Sequence, residues 1–329
     1  MPKVYVTRNI PDAGLELLKR KKFTVVVNPD DRVLTTPELK TILEKEKPDA
    51  ILSLLTDKID GAVLDAAGTQ LKIVANYAVG FDNVDLAAAK TRSVAVTNTP
   101  SAVVADSVAE HTFALMLALA HRVVEADGFA RAGRYVGWDP SLFVGTLLKG
   151  KTIGIIGLGR IGAGVVERAV KGMGMQALYF DVKPNAEFEK ATGAKFASMA
   201  DVLKKADVVS LHVPLNEKTR HLISTKELAM MKPTAYLVNT ARGPVVDEKA
   251  ALQALAEKKI AGFALDVLEC EPSIDCDPYD HLELRAMPNV VITPHIASAT
   301  VEARDDMARI AAENIIAAFS GKTPPNLAK

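Results

Sequence analysis

Short apolar runs alternate with amphipathic stretches along almost the whole chain. KVYVT at 3–7 and TVVV at 24–27 are each followed by a segment whose apolar positions recur at helical spacing, such as DAGLELLKRK after the first run. Strands that alternate with helices are typical of a parallel, doubly wound sheet. The alternation pauses at a long predicted helix, about 105–131, and restarts with KTIGIIG at 151–157. The pattern therefore predicts an α/β protein with two parallel-sheet units.

Two details of this pattern make local predictions. TPELKTILEKE in the first unit predicts a helix that is capped by Thr36 and has Pro37 at its first position. A predicted helix at about 300–319 follows the last strand of the second unit and has no strand of its own. We expect this last helix to return and pack on the first unit.

Composition narrows the range of partners. The chain has 329 residues, of which 49% are hydrophobic, enough for two domains of ordinary size. Lys plus Arg and Asp plus Glu number 40 each, so the chain lacks the basic excess that binding to nucleic-acid phosphates requires. It also shows no secretory signal and no run of about 18 uninterrupted apolar residues. We therefore expect neither nucleic acid nor membrane as a partner.

Cysteine usage bears on compartment and metal binding. The two cysteines are Cys270 and Cys276, and no Cys and His spacing suits a metal site. So few cysteines indicate a reducing compartment, and we expect a cytoplasmic protein without a bound metal. Cys270 stands between two glutamates, whose negative charge disfavours the thiolate that a nucleophile needs.

A glycine motif carries the strongest local signal. In KTIGIIGLGRIGAG, Gly157, Gly159 and Gly162 form G-x-G-x-x-G between an apolar strand and a helical run. The first glycine permits a tight turn, the second lets a pyrophosphate approach the backbone, and the third lets helix and strand pack closely. Asp181 ends the next strand at the spacing of a carboxylate that binds a ribose diol. These residues predict a dinucleotide site that favours NAD over NADP, although Lys183 lies nearby.

Charged and titratable residues follow three strands of the second unit. LVNTARG, ALDVLECEP and ITPH place Arg242, Asp266, Glu269, Glu271 and His295 beyond their strands. In a doubly wound sheet, ligands bind outside the carboxyl ends of the strands. A histidine there can protonate a carbonyl that accepts a hydride, a carboxylate can orient the histidine, and an arginine can grip a substrate carboxylate. The set predicts hydride-transfer chemistry on a small carbonyl acid.

Each of these residues also has an ordinary structural interpretation. An arginine after a strand commonly makes a surface ion pair, the glutamates can be solvated, and a histidine after proline can be a turn residue. Their shared location favours the functional interpretation. Among the other histidines, His212 in SLHVPL is expected to form a wall of the cofactor site rather than to act as an acid.

Matching stretches over roughly residues 3–325 resemble the D-isomer-specific 2-hydroxyacid dehydrogenase family. They are NYAVGFDNVDL, ADSVAEHTFALMLALA, LKGKTIGIIGLGRIG, LHVPLNEKTRHLI, MKPTAYLVNTARGPVVDEKAL, AGFALDVLECEP and NVVITPHIASAT. The resemblance implies a Rossmann NAD-binding domain over 100–298. It also implies a discontinuous, flavodoxin-like substrate-binding domain made of 1–99 plus 299–329. Within the family, the chain looks most like glyoxylate/hydroxypyruvate reductases.

The resemblance also assigns roles. Arg242 binds and polarises the substrate, His295 donates the proton, Glu271 pairs with His295, and Asp266 meets the nicotinamide carboxamide. The implied cofactor (NADH) contacts are Gly157, Gly159, Arg160, Ile161, Gly162, Asp181, His212, Val213, Pro214, Thr240, Ala241, Arg242, Asp266, His295 and Ser298.

Substrate and subunit contacts follow in the same way. The backbone of Val79 and Gly80 would bind the carboxylate of a small 2-oxo or 2-hydroxy acid, and Leu55 would line the pocket beside Arg242 and His295. A homodimer would form through the long helix and RAGRYVGWDPSLF. Trp138 in that segment would reach the partner's active site or serve only as an interface aromatic.

Alternative functions stay open at this point. A dehydrogenase of the same scaffold could act on D-lactate, D-3-phosphoglycerate or phosphite, although the family's phosphite oxidisers carry a lysine where Val79 stands here. An NADH-sensing co-repressor or scaffold would turn over little substrate, and the complete Arg–Glu–His set argues against it. A plain binding module would hold NADH with a vestigial site.

Overall fold

The computed structural model of the protein describes residues 1–271 and 282–328. These residues divide into two units. The first consists of 1–104 with 299–328, and the second of 105–271 with 282–298.

The first unit is built on a five-stranded parallel sheet in the order β2-β1-β3-β4-β5. Its strands are β1 (Lys3–Val6), β2 (Thr24–Val27), β3 (Ala50–Leu54), β4 (Ile73–Tyr77) and β5 (Ala95–Thr97). Its helices are α1 (Asp12–Arg20), α2 (Thr36–Glu46), α3 (Gly61–Ala67), α4 (Leu86–Thr91) and the late helix α13 (Val301–Phe319). The order 2-1-3-4-5 is that of flavodoxin-like folds.

Close packing brings α13 back onto this unit, as the sequence predicts. A Cβ atom on Gly14 of α1 would lie only 2.2 Å from the carbonyl oxygen of Ala308 on α13, so the two helices cross at a distance that only glycine permits. The predicted cap of α2 is wrong by one residue. Thr35, not Thr36, accepts the Glu38 N–H, and the Glu38 side chain accepts the Thr35 N–H in return.

The second unit contains a seven-stranded parallel sheet in the order β12-β11-β10-β9-β6-β7-β8. Its strands are β6 (Thr152–Ile156), β7 (Gln176–Phe180), β8 (Lys195–Phe196), β9 (Val208–Leu211), β10 (Tyr236–Asn239), β11 (Gly262–Leu265) and β12 (Val290–Ile292). Its helices are α5 (Ala102–Ala120, which begins in the first unit), α6 (Val123–Arg131), α7 (Arg160–Glu167), α8 (Ala186–Thr192), α9 (Met199–Lys205), α10 (Thr225–Leu228), α11 (Glu248–Ala256) and α12 (Leu282–Ala286).

The strand order reverses on either side of β6, which pairs with β7 on one edge and β9 on the other. In such sheets, nucleotides bind outside the carboxyl ends of the strands at this switch point. The predicted architecture of two doubly wound parallel sheets is therefore confirmed, and the glycine motif follows the switch-point strand.

The long helix predicted at about 105–131 is interrupted. Arg122 adopts a left-handed φ of 56° between α5 and α6. The chain returns to this point, because Thr146 donates its N–H to the Ala120 carbonyl at 2.8 Å and a Cβ on Gly145 would lie 2.5 Å from the same oxygen. A contact some 25 residues away along the chain thus ends α5.

Helix α5 is long and apolar enough to cross a membrane, judged by length and composition only. Its residues Ala109, Leu115, Met116 and Leu119 are buried in the apolar core of the second unit. This is the packing of a core helix.

Candidate active site

The glycine turn after β6 has the geometry that a dinucleotide site needs. Gly157 has a φ of 97°, and a Cβ there would lie 2.6 Å from the His212 carbonyl oxygen. A Cβ on Gly162 would lie 2.2 Å from the Gly157 oxygen, whereas Gly159 faces open space. Gly159 caps α7 without a side-chain bond, so the first N–H groups of the helix stay available to an anion.

Asp181 lies against this turn. Its Oδ2 accepts the Leu158 N–H at 2.7 Å and its Oδ1 accepts the Val182 N–H at 2.6 Å. The carboxylate of the residue after β7 is therefore held beside the loop that would carry a pyrophosphate. This is the relation between glycine turn and acidic residue that ribose recognition uses.

The remaining predicted cofactor residues follow the carboxyl ends of neighbouring strands of the same sheet. They are Arg160 and Ile161 in the first turn of α7, Val213 and Pro214 after β9, Thr240 and Ala241 after β10, Asp266 after β11, and Ser298 after β12. Thr240 is buried, and its hydroxyl pairs with the Thr112 hydroxyl of α5 at 3.0 Å.

His212 is unsuited to proton transfer. Burial lowers the pKa of its imidazole to about 3. Its Nε2 pairs with the Ser210 hydroxyl at 2.9 Å, and its buried Nδ1 has no partner among the described residues. The ring is neutral, and the backbone carbonyl of His212 lies close to the turn at Gly157.

His295 and Glu271 form a direct pair. The Nδ1 of His295 lies 2.7 Å from Oε2 of Glu271, and Glu271 is oriented in turn because its Oε1 accepts the Leu268 N–H at 3.1 Å. His295 has a left-handed φ of 55°, and its N–H donates to the Asp266 carbonyl at 2.8 Å. Within 1–271 and 282–328, Nε2 of His295 has no hydrogen-bond partner. A ring held at Nδ1 by a carboxylate is arranged to exchange a proton at Nε2.

Asp266 anchors the loop that carries this histidine. Its buried carboxylate accepts the Thr293 hydroxyl at 2.6 Å, the Ile296 N–H at 2.9 Å and the Ala297 N–H at 2.8 Å, and it lies 3.5 Å from Nε2 of His111. Burial alone would raise the pKa of Asp266, but the hydrogen bonds from His111, Thr293 and the two N–H groups together lower it. The structure therefore gives this residue a supporting role that the sequence does not predict.

Two residues that support the loop of His295, His111 and Ser107, were not predicted from the sequence. His111 on α5 contacts the Thr293 hydroxyl through Nε2 at 2.9 Å, across 182 residues of sequence. Ser107, one turn earlier, donates to the Ala297 carbonyl at 2.8 Å. The sequence offers one indication of these contacts: Ser107 and His111 lie on the same face of a predicted helix. That placement does not show which residues they contact.

Arg242 occupies a turn that packs against the loop of Glu271. The turn is closed by Asn239, whose Nδ2 donates to the Arg242 carbonyl at 2.9 Å and whose Oδ1 accepts the Ala241 N–H at 3.1 Å. A Cβ on Gly243 would overlap the Leu268 carbonyl oxygen at 1.8 Å. Only glycine after Arg242 allows the two loops to approach this closely.

The predicted substrate residues of the first unit follow β3 and β4. Leu55 is half-buried just after β3, and Val79 and Gly80 lie in the loop after β4. Amide side chains fix these loops. Nδ2 of Asn83 donates to the carbonyls of Leu54 at 3.0 Å and Asp57 at 2.9 Å.

Two further predictions involve the periphery of the second unit. Trp138 is 83% exposed. Cys270 is disulfide-bonded, which the small number of cysteines does not predict. Cys276 lies outside the described residues.

The sheet order, the glycine turn with its acidic neighbour, and a carboxylate-bound histidine together define the class of dinucleotide-dependent dehydrogenases. Residues 113–297 match the model of the family described as D-isomer specific 2-hydroxyacid dehydrogenase, NAD binding domain. The chain belongs to this family, as its motifs predict. The family match confirms the prediction that the cofactor is a nicotinamide dinucleotide.

Relatives match over the full length. A glyoxylate reductase of Korarchaeum cryptofilum is 48% identical over 328 residues, which are 99% of this chain and 95% of the relative. The crystal structure of the TT0316 protein from Thermus thermophilus superposes with a TM-score of 0.90 at 40% identity, covering 99% and 100% of the two chains. An NADPH-dependent glyoxylate/hydroxypyruvate reductase of Sinorhizobium meliloti, in complex with citrate, gives a TM-score of 0.82 at 30% identity over 100% and 98%.

Proposed function

We propose that the protein reduces glyoxylate or hydroxypyruvate to the D-2-hydroxy acid with NADH. The observation that carries this proposal is the His295–Glu271 pair, whose Nδ1–Oε2 distance is 2.7 Å. It supplies a proton donor at the carboxyl ends of the strands that follow the glycine turn. The glyoxylate reductase of Korarchaeum cryptofilum supports the choice of substrate.

The proposed roles supply both the hydride and the proton that reduction of the substrate carbonyl requires. The guanidinium of Arg242 binds the substrate and polarises its carbonyl. The reduced dinucleotide, when bound, supplies the hydride that adds to the carbonyl carbon. Nε2 of His295 gives its proton to the carbonyl oxygen, which becomes the hydroxyl group. Glu271 stabilises the protonated imidazole before the transfer and keeps the ring oriented afterwards.

The residues of the second unit fit a dinucleotide. The open space at Gly159 and the uncapped start of α7 suit a pyrophosphate, and Asp181 would accept the hydroxyls of the adenosine ribose. Its negative charge disfavours a 2′-phosphate, so we propose a preference for NADH. Asp181→Ser should raise the ratio of activity with NADPH to activity with NADH. An unchanged ratio would refute the role of Asp181.

In the first unit, we propose that the N–H groups of Val79 and Gly80 bind the substrate carboxylate and that Leu55 lines the pocket. Val79 is 39% exposed, and its N–H has no acceptor among the described residues. The assignment of 1–99 plus 299–329 as the substrate domain is part of the same proposal.

The decisive test is steady-state reduction of glyoxylate, hydroxypyruvate and other 2-oxo acids with both cofactors. His295→Ala should lower kcat by about two to four orders of magnitude, the usual contribution of a general acid. His121→Ala is a matched control, because His121 is an exposed histidine at the end of α5. Equal turnover of the His295 variant and the wild type would reject the proposed mechanism.

We also propose that the protein forms a homodimer through residues 123–147. Large apolar side chains are exposed throughout this stretch, with Val136 at 99%, Trp138 at 83% and Leu147 at 70%. A surface of this kind marks a protein interface. Light scattering after size exclusion should give a dimer that Val136→Glu converts to monomer, while Val301→Glu on α13 leaves it intact. Cytoplasmic localisation stays a prediction.

A further inference from the structure

The loop after β4 presents two backbone donors with nothing to bind. Among the described residues, neither the Val79 N–H nor the Gly80 N–H has a hydrogen-bond acceptor. Unpaired N–H groups in succession suit an anion, provided that their directions are fixed. The directions of these N–H groups are fixed by hydrogen bonds to the carbonyl oxygens of the same peptide groups.

Two hydrogen bonds set the orientation of these peptide groups. The Ala78 carbonyl accepts the Thr99 N–H at 2.8 Å, and the Val79 carbonyl accepts Nδ2 of Asn98 at 2.6 Å. In a planar trans peptide, the oxygen and the following N–H point in opposite directions. The first bond therefore aims the Val79 N–H and the second aims the Gly80 N–H, each away from β5 and the residues that follow it.

A third bond fixes the next peptide group. The Gly80 carbonyl accepts Nδ2 of Asn76 at 3.0 Å, and the same nitrogen donates to Oδ1 of Asn83 at 3.0 Å. Asn76 is completely buried. Since Asn83 also binds the carbonyls of the loop that contains Leu55, one amide network supports both proposed substrate loops.

The backbone of Asn98 is itself fixed by two hydrogen bonds. Its backbone N–H donates to the Asn326 carbonyl at 3.1 Å, and its carbonyl accepts Nδ2 of Asn314 on α13 at 3.2 Å. Oδ1 of the fully buried Asn314 accepts the Asn326 N–H at 3.1 Å. The donor of Asn98 is thus placed before any ligand arrives, which lowers the entropic cost of binding.

We propose that Asn98 is a positioning residue for the substrate carboxylate: it holds the Val79–Gly80 peptide group so that the Gly80 N–H points at the anion, with Asn76 as the second support. This inference rests on the proposed function, in which that anion is the carboxylate of a 2-oxo acid. An amide suits the task because it donates to the Val79 carbonyl without placing a negative charge near the ligand.

The test compares Asn98→Ala with the wild type in three measurements: kcat and KM for glyoxylate, the inhibition constant of oxalate as an unreactive carboxylate, and the Kd of NADH from its fluorescence. Loss of the bond should raise KM and the oxalate constant together by about tenfold, with kcat changed less and the NADH Kd unchanged. Asn98→Asp should raise both constants further, because its charge repels the carboxylate.

Asn28→Ala is the matched control. Nδ2 of this buried residue donates to the carbonyls of Thr7 and Asp30, both at 3.0 Å, so its loss weakens the same unit without touching the loop after β4. Unchanged constants in Asn98→Ala, or an equal rise in Asn28→Ala, would overturn the inference. Failure of the proposed function is distinct, since wild-type enzyme would then not reduce glyoxylate at all.

Discussion

The loops at the ends of the two sheets differ in the balance of groups that hold them, with carboxylates dominant in the second unit and amides in the first. In the second unit, carboxylates anchor the proposed catalytic residues: Asp266 binds the loop of His295, and Glu248 binds the loop of Glu271. In the first unit, the neutral amides of Asn76, Asn83 and Asn98 hold the proposed substrate loops, and one buried carboxylate, Asp57, joins them by accepting the Leu54 N–H at 2.7 Å. Anchors that titrate make a loop sensitive to pH, whereas amides do not.

The pKa of one carboxylate anchor, Glu248, is strongly shifted by its surroundings. Its Oε1 accepts the Glu269 N–H at 2.5 Å, and Oε2 of Glu269 accepts the Glu248 N–H at 3.2 Å. Burial, together with the nearby Glu269 and Glu271 carboxylates, raises the pKa of Glu248 to about 7. The two acidic anchors of one unit are therefore shifted in opposite directions: hydrogen bonds outweigh burial at Asp266, whereas burial and the neighbouring carboxylates dominate at Glu248.

The largest effect is expected from Asp266→Asn. The new amide keeps one acceptor but turns its NH₂ group toward backbone donors that need an acceptor, and unpaired buried donors are costly. We expect the free energy of unfolding to fall by about 3 kcal/mol at neutral pH, and kcat to fall because the His295 loop shifts. Chemical denaturation and steady-state kinetics measure the two.

The pH dependence of this loss has a definite sign. The pKa of Asp266 is lower in the folded protein, so its stabilisation is present above the unfolded pKa of about 3.9 and disappears as pH falls through the folded pKa. The stability gap between wild type and variant should therefore narrow in acid. A gap that stays constant down to pH 3 would contradict an ionised anchor.

A smaller effect of opposite sign is expected at Glu248. Its raised pKa means that the folded protein binds a proton that the unfolded chain releases, so wild-type stability should decline as pH rises from about 4.5 to about 7. The shift corresponds to at most about 3 kcal/mol. Glu248→Gln keeps the shape and cannot ionise, so its stability profile should be flatter over this interval. Parallel profiles for the two proteins would disprove the assignment.

The smallest and least pH-dependent effect is expected in the first unit. Asn83→Ala removes a donor from two carbonyls, of which Leu54 keeps the Asp57 N–H and Asp57 loses its bond to Asn83, and should cost about 2 kcal/mol of unfolding free energy. The loss should be equal at pH 5 and pH 8. Asn289→Ala, which removes a single bond to the Ala261 carbonyl in the other unit, should cost less. A marked pH dependence for Asn83→Ala would remove the contrast between amide and carboxylate anchors.

Much of the fold and of the glycine turn could be predicted from local sequence patterns. The alternation of strands and helices predicted both sheets, and the spacing of Gly157, Gly159 and Gly162 predicted the turn, because each depends on residues that are close in sequence. The direct pairing of His295 with Glu271 came from the family resemblance, and the structure has the two side chains in contact.

The missed features depend on contacts that no local pattern reports. The break between α5 and α6 comes from the return of Gly145 and Thr146, and the cap of α2 moved by one residue because two adjacent threonines compete for it. The anchors of Asp266 on α5 and of Asn98 on α13 join residues more than 150 positions apart. Such partners can be found only once the sheets are assembled.

The return of α13 to the first unit has a consequence during translation. The crossing at Gly14 and Ala308, and the bond from Asn314 to Asn98, require residues that are synthesised after the named strands of both sheets. The nascent chain can complete the seven-stranded sheet while the five-stranded sheet still lacks its final helix. Until α13 is synthesised, the apolar surface that it covers in the first unit is open to solvent and to chaperones.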